Sequence, residues 1–281
     1  MMQHRPPRER MEHLVRVRFH PRALASGKHD YGERSARHGA PVPSSACQFH
    51  SEPSPRMTME RFHFDTVGFD LDGTLIDTSG DLAAAVNHAL AQDGRPPLSV
   101  DAIKPMIGGG ARHMLAQGLA ATGGGADPLL DQLHRVLLEY YEANIYVHSV
   151  PFPGALRALD ELARRGVQVA VVTNKLEPFA LEVLRDAGLL DRLTCVIGGD
   201  TLGPGKSKPA ADPILEMIRR SGGGTAAFVG DSIYDVAAAH AAGIPAIACR
   251  FGFLMQPVEE LGANAIIDHF DELIPALNGL R

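Results

Sequence analysis

No stretch of this 281-residue sequence approaches the roughly 20 apolar residues that a spanning helix needs, because charged residues, Gly or Pro interrupt every run. A soluble chain without a membrane partner is expected. Cysteine is equally scarce: Cys47, Cys195 and Cys249 occur, none of them in a CxxC pair or a Cys/His cluster with zinc spacing. That pattern suits a reducing, cytoplasmic setting. Cys195 and Cys249 lie in apolar runs, where a thiol packs as a small hydrophobe. A basic excess is also missing. The formal charge is -6, and the first 60 residues carry 10 Lys+Arg against 6 Asp+Glu, leaving 17 against 27 in the remainder. An acidic body lacks the cationic footprint of a nucleic-acid binder, so the expected partner is a small molecule.

Residues 1–60 are rich in Arg, His, Pro and Ser and show no sustained period, the composition of a disordered leader that cannot bury a core. It lacks the compact apolar stretch and cleavage site of a secretory signal, and its acidic residues speak against a transit peptide. Its six histidines are scattered rather than grouped for metal binding. Met57 and Met59, just ahead of the first expected strand, suggest an alternative translation start.

From residue 64 short apolar runs alternate with amphipathic helical stretches, the rhythm of a parallel sheet covered on both faces. The strands expected are Val67 to Phe69, Val167 to Val172, Cys195 to Ile197, Ala226 to Val229 and Ile244 to Cys249. Residues 79–152 interrupt the rhythm and read as helices alone. Leu82, Val86, Ala89 and Leu90 mark one helical face, and Leu133, Val136, Leu137, Tyr140 and Tyr141 mark another. The triplets Gly108-Gly109-Gly110 and Gly123-Gly124-Gly125 fall between helices. An insertion this long implies a small unit of its own. The expected architecture is α/β: a doubly wound, Rossmann-like core from 64–78 and 153–281, with a helical cap over 79–152 inserted after the first strand.

In such a sheet ligands bind beyond the carboxyl ends of the strands, which singles out Asp70, Asp72, Thr74, Thr173, Lys208 and Asp231. Each alone has an ordinary reading. Asp-Gly is a common turn, Thr is at home in strands, a Lys beside Pro is usually solvated, and an acid at a helix start is often a cap. Lys206 competes with Lys208, and order along the chain favours neither. Gathered at one sheet edge, three carboxylates, two hydroxyls and an ammonium are too many unlike polar groups for packing. Two carboxylates at a helix start, Asp231 and Asp235, also suit a hard cation such as Mg2+.

The segments DLDGT, VVTNK, KP and GDSIYD, in this order, resemble the four motifs of haloacid dehalogenase phosphatases over about residues 64 to 270. The resemblance implies that Asp70 is a nucleophile forming an aspartyl-phosphate and that Asp72 is the general acid and base. It further implies that Thr173, Asn174 and Lys208 bind phosphate. Mg2+ would be held by Asp70, the backbone carbonyl of Asp72 and Asp231, with Asp235 and Thr74 in support. The second aspartate separates the chain from the family's dehalogenases and ion pumps. A phosphomutase, or a scaffold that keeps the fold without activity, stays open. The wording GGDTLGPGKSKPAADP, with IGGGARHML in the insertion, is similar to the family's phosphoglycolate phosphatases, for which Arg112 and then Lys175 are the candidates to meet a substrate carboxylate. A nucleotide or sugar phosphate is the alternative substrate.

Overall fold

A computed structural model describes residues 62–280. The expectations about the leader and its alternative start therefore lie outside the described residues. The chain begins with strand β1 (Thr66–Phe69) and a two-residue strand β2 (Ile76–Asp77), then runs through helices α1 (Ser79–Gln92), α2 (Val100–Ile103), α3 (Ala111–Ala121) and α4 (Asp127–Ala143). It returns through β3 (Val150–Pro151) and α5 (Ala155–Arg164), β4 (Gln168–Val172), α6 (Glu177–Asp186) and β5 (Cys195–Ile197). Then follow α7 (Asp212–Arg220), β6 (Ala226–Gly230), α8 (Ile233–Ala241), β7 (Ala246–Cys249), β8 (Ala265–Ile267) and α9 (Leu273–Gly279).

Six strands pair in the order β5-β4-β1-β6-β7-β8, and every neighbouring pair is parallel. Alternation along the strands sends side chains into two separate apolar layers. Val67, Phe69, Val169, Val171, Ala227 and Val229 pack with α5, α6 and α9, whereas Ala170, Val172, Ala226 and Phe228 pack with α7 and α8. The sheet is thus buried on both faces, as a doubly wound α/β fold requires. Helix α5 illustrates the match of sequence to layer: Ala158, Leu159 and Leu162 form its buried stripe, and Gly166, at φ 75°, turns the chain into β4.

Between β2 and β3 the chain is helical, as the sequence implies, with one exception. Val150–Pro151 pairs antiparallel with Ile76–Asp77, so the outgoing and returning chain form a two-stranded ribbon. Two residues are too few to leave a recognisable alternation, and Pro151 argues against a strand on sequence grounds. The predicted apolar stripes meet one another: Leu82, Val86, Ala89 and Leu90 are buried with Leu133, Leu137 and Tyr141, while Val136 and Tyr140 pack at the edge of the same cluster.

Asp81, near the start of α1, ties the ribbon shut. Its buried carboxylate accepts hydrogen bonds from the backbone N–H groups of Val147, His148 and Ser149 at 2.9–3.1 Å and from Ser149 Oγ at 2.6 Å. Replacing it by Ala leaves the buried N–H and hydroxyl of Ser149 without an acceptor, at about 1–3 kcal/mol for each one left unsatisfied, while water can reach the exposed Val147 and His148. Asp81→Ala is therefore expected to lower unfolding stability by at least about 2 kcal/mol, measured by urea titration. A loss within 0.5 kcal/mol, the scale of an indifferent surface change, would show that water replaces the clamp.

Candidate active site

The strand order reverses direction between β1 and β6, the place where an open α/β sheet leaves a crevice beyond its strand ends. Asp70 follows β1 and Asp231 follows β6, so both carboxylates stand on that crevice. Gly73, at φ 88°, lets the 70–74 loop fold over Asp231, and a β-carbon there would collide with the Asp231 carboxylate. Thr74 Oγ1 then donates to Asp231 Oδ1 at 2.8 Å, while the Phe253 N–H donates to Oδ2 at 2.6 Å.

Lys208 is buried between two acids, with Nζ 2.8 Å from Asp70 Oδ1 and 2.6 Å from Asp235 Oδ1. The contact to Asp70 lies outside hydrogen-bonding angles, so Oδ1 makes an ion pair there but no hydrogen bond and keeps its lone pairs for a ligand. Asp235 also accepts from Ser232 Oγ and from the backbone N–H groups of Ser232 and Asp231, which fixes it as the brace of Lys208. Lys206, the competitor, is half-exposed and reaches only Asp212 at 4.0 Å. Burial separates the two lysines where their order could not.

Asp72 has different partners. Lys175 Nζ stands 2.9 and 3.0 Å from its two oxygens, and Thr78 Oγ1 donates to Oδ1 at 2.6 Å. Thr173 Oγ1, beyond β4, accepts from the Lys175 N–H at 3.2 Å. The Asn174 amide donates to the carbonyls of Gly108 and Lys208, joining the loop ahead of α3 to the strand ends. All the residues singled out at the strand ends are therefore brought together.

Four buried carboxylates, Asp70, Asp72, Asp231 and Asp235, face two buried ammonium groups, Lys175 and Lys208. Fully ionised, they leave two negative charges uncompensated. Burial first, then the neighbouring acids, sets the consequence: against the pull of Lys208, Asp70 is raised to about 7, and Asp231 is driven well above the ordinary carboxylate range. Oxygens of Asp70, Asp231 and Asp235 all lie within 4.8 Å of one another. Hard oxygen ligands with a deficit of two positive charges fit a divalent cation of the Mg2+ type, and Asp70 Oδ1 is the buried oxygen of the group that accepts no hydrogen bond among the described residues.

A cavity of about 220 Å³ opens over this group. Asp70, Asp72, Thr173 and Lys175 line it from the sheet, and Arg112 and Tyr141 line it from the helices. Arg112, the first candidate for a substrate carboxylate, borders the cavity but makes an exposed ion pair with Asp131 at 2.9 Å. Lys175, the second, is buried within it.

Sequence reasoning missed Thr78 as a partner of Asp72. A threonine at a helix start reads as a cap, yet its hydroxyl caps nothing in α1 and turns to Asp72 instead. Phe253 was invisible for another reason, since it contributes only a backbone N–H.

The family model described as haloacid dehalogenase-like hydrolase matches residues 67–249. A phosphoglycolate phosphatase of Rhodospirillum rubrum is 41% identical over 213 residues, covering 73% of this chain and 87% of that protein. Another from Caulobacter vibrioides is 38% identical over 219 residues, 76% of this chain and 90% of its own length. Among solved structures, a "predicted phosphoglycolate phosphatase" from Haemophilus somnus superposes with a TM-score of 0.71 at 28% identity, covering 76% of this chain and 97% of that one.

Proposed function

The chain belongs to the haloacid dehalogenase-like hydrolases, and from that premise we propose that it is a Mg2+-dependent phosphatase hydrolysing a small phosphate monoester, 2-phosphoglycolate first among them. The observation that carries this reading is the gathering of Asp70, Asp72, Thr173, Lys208 and Asp231 at one sheet edge, with Asp70, Asp72 and Thr173 lining the cavity, Lys208 and Asp231 set against Asp70, and two negative charges left over for a divalent cation. The 38% and 41% identical phosphoglycolate phosphatases support the choice of substrate.

In this mechanism the phosphoryl group lies against Thr173, Lys208 and the backbone N–H groups of Leu71 and Asp72, which donate to its equatorial oxygens. Asp70, Asp231 and the backbone carbonyl of Asp72 would hold Mg2+, which would supply the remaining charge stabilisation. The Asp70 carboxylate attacks phosphorus and forms an aspartyl-phosphate as the ester bond breaks. Asp72 gives a proton to the departing alkoxide. It then takes one from the water that cleaves the acyl phosphate, so one carboxyl serves both half-reactions. Asp235 holds Lys208 in place, and Asn174 carries the cavity's upper loop on its amide.

Helices α1 to α4 act as the cap that encloses the ester's organic part. The test is a panel of 2-phosphoglycolate, ethyl phosphate, a nucleoside monophosphate and a hexose phosphate, each with and without Mg2+. The expected result is Mg2+-dependent turnover with kcat/KM for 2-phosphoglycolate at least about tenfold above the others. A preference for the hexose or nucleoside ester would reassign the substrate, and turnover indifferent to Mg2+ would overturn the mechanism.

A further inference from the structure

Tyr141 sits on the buried face of α4, only 2% exposed, and its side chain borders the cavity. Its ring does the work of the apolar stripe, packing edge-on against Phe179 with 5.6 Å between centroids. Its hydroxyl does not. Among the described residues this buried oxygen has no hydrogen-bond partner. An orphaned buried hydroxyl costs free energy that a phenylalanine at the same place would avoid, so a ligand is the natural claimant.

The neighbour of that hydroxyl is the Lys175 ammonium, 4.7 Å from the Tyr141 ring centroid. An ammonium has three N–H donors, and the two oxygens of Asp72 engage Lys175 at 2.9 and 3.0 Å. One donor is left over, beside the Tyr141 phenol, and both side chains border the cavity. Arg112, by contrast, has a carboxylate partner already in Asp131.

We propose that Tyr141 and Lys175 together form the subsite for an anionic group at the far end of the substrate, a carboxylate taking one hydrogen bond from each. Tyr141 is then a specificity-determining residue, supplied by the helices, while Lys175 bridges the substrate's carboxylate and Asp72. This rests on the phosphatase reading and names the part of the cavity that selects the ester. Burial in the first place pushes the Tyr141 phenol up to about 12, against a smaller pull from Lys175, so it stays a donor at neutral pH. Burial pulls Lys175 down, but Asp72 more than offsets it, so the ammonium stays charged.

The experiment compares wild type with Tyr141→Phe on 2-phosphoglycolate and on ethyl phosphate, which lacks the carboxylate, with melting temperatures of the substrate-free proteins alongside. Removal of one oxygen should lower the ratio of kcat/KM, phosphoglycolate over ethyl phosphate, by about tenfold or more. The melting temperature of the substrate-free variant should not fall, because the deleted hydroxyl satisfies nothing. An unchanged ratio overturns the subsite, as do equal losses on both esters, and a lowered melting temperature with an unchanged ratio assigns the hydroxyl to packing alone. A wild type with no preference between the two esters defeats the substrate assignment itself, a result visible before any variant is made.

Discussion

Asp70→Asn is expected to reduce turnover by about 10³-fold or more while making the metal-free protein harder to unfold. The amide keeps the shape of the carboxylate but is a poor nucleophile and a weaker ligand. Loss of activity therefore follows whatever the substrate proves to be. The gain in stability has a separate cause. Asp70 is buried beside Asp72, Asp231 and Asp235 with only Lys208 in contact, and taking its charge away relieves burial and repulsion together. Opposite signs for activity and stability are the mark of a residue retained for chemistry rather than for folding. Kinetics with thermal melts at pH 8 measure both. Residual turnover within tenfold of wild type would remove Asp70 from the role of nucleophile, and a drop in melting temperature would show that the carboxylate supports the fold.

The same acids should make metal-free stability fall as pH rises, against the usual trend for carboxylates. With Asp70 at about 7 in the folded protein and near 3.8 unfolded, the folded chain holds a proton that the unfolded chain releases between those values. Stability from this source is complete below about pH 4 and disappears as pH passes 7. Asp231, raised in the same direction, extends the decline upward. A shift of this size in Asp70 corresponds to a few kcal/mol, on the order of 5–10 °C in melting temperature for a chain of this size. Mg2+ should reverse the trend, because a cation favours the charged forms that alkaline pH creates. Melts between pH 5 and 8, with and without millimolar Mg2+, are expected to give a downward slope in chelator and a flatter one with metal. Parallel curves would show that these carboxylates do not hold the ion.

Much of this site was legible because its acids and hydroxyls sit one residue beyond apolar runs. Val67 to Phe69 read as a strand by its apolar character, so Asp70 had to lie at a sheet edge, and Ala226 to Val229 placed Asp231 by the same logic. Order along the chain carries that kind of information. It does not carry burial, which is why Lys206 and Lys208 looked alike until one proved enclosed by two acids and the other half-exposed. Nor does it carry contacts across long separations. Tyr141 fitted its helical stripe so well that nothing pointed to its hydroxyl, and Lys175 meets Asp72 from 103 residues away. Asp81 gave no sequence signal at all, since its carboxylate is spent on the distant backbone of 147–149.

The ribbon of β2 and β3 makes the chain leave the sheet and return to it through adjacent, hydrogen-bonded residues. Seen from the sheet, everything between is a single closed excursion with one doorway. The entropy of closing such an excursion grows only slowly with its length, about 0.6 kcal/mol per doubling. A shorter, longer or differently folded insert can hang from the same doorway while the strand order, and the acids mounted on it, stay where they are. On the proposed reading, selection and chemistry become separable inheritances within one chain: an exchanged excursion would change which ester is admitted, while the acids mounted on the sheet would go on breaking the bond.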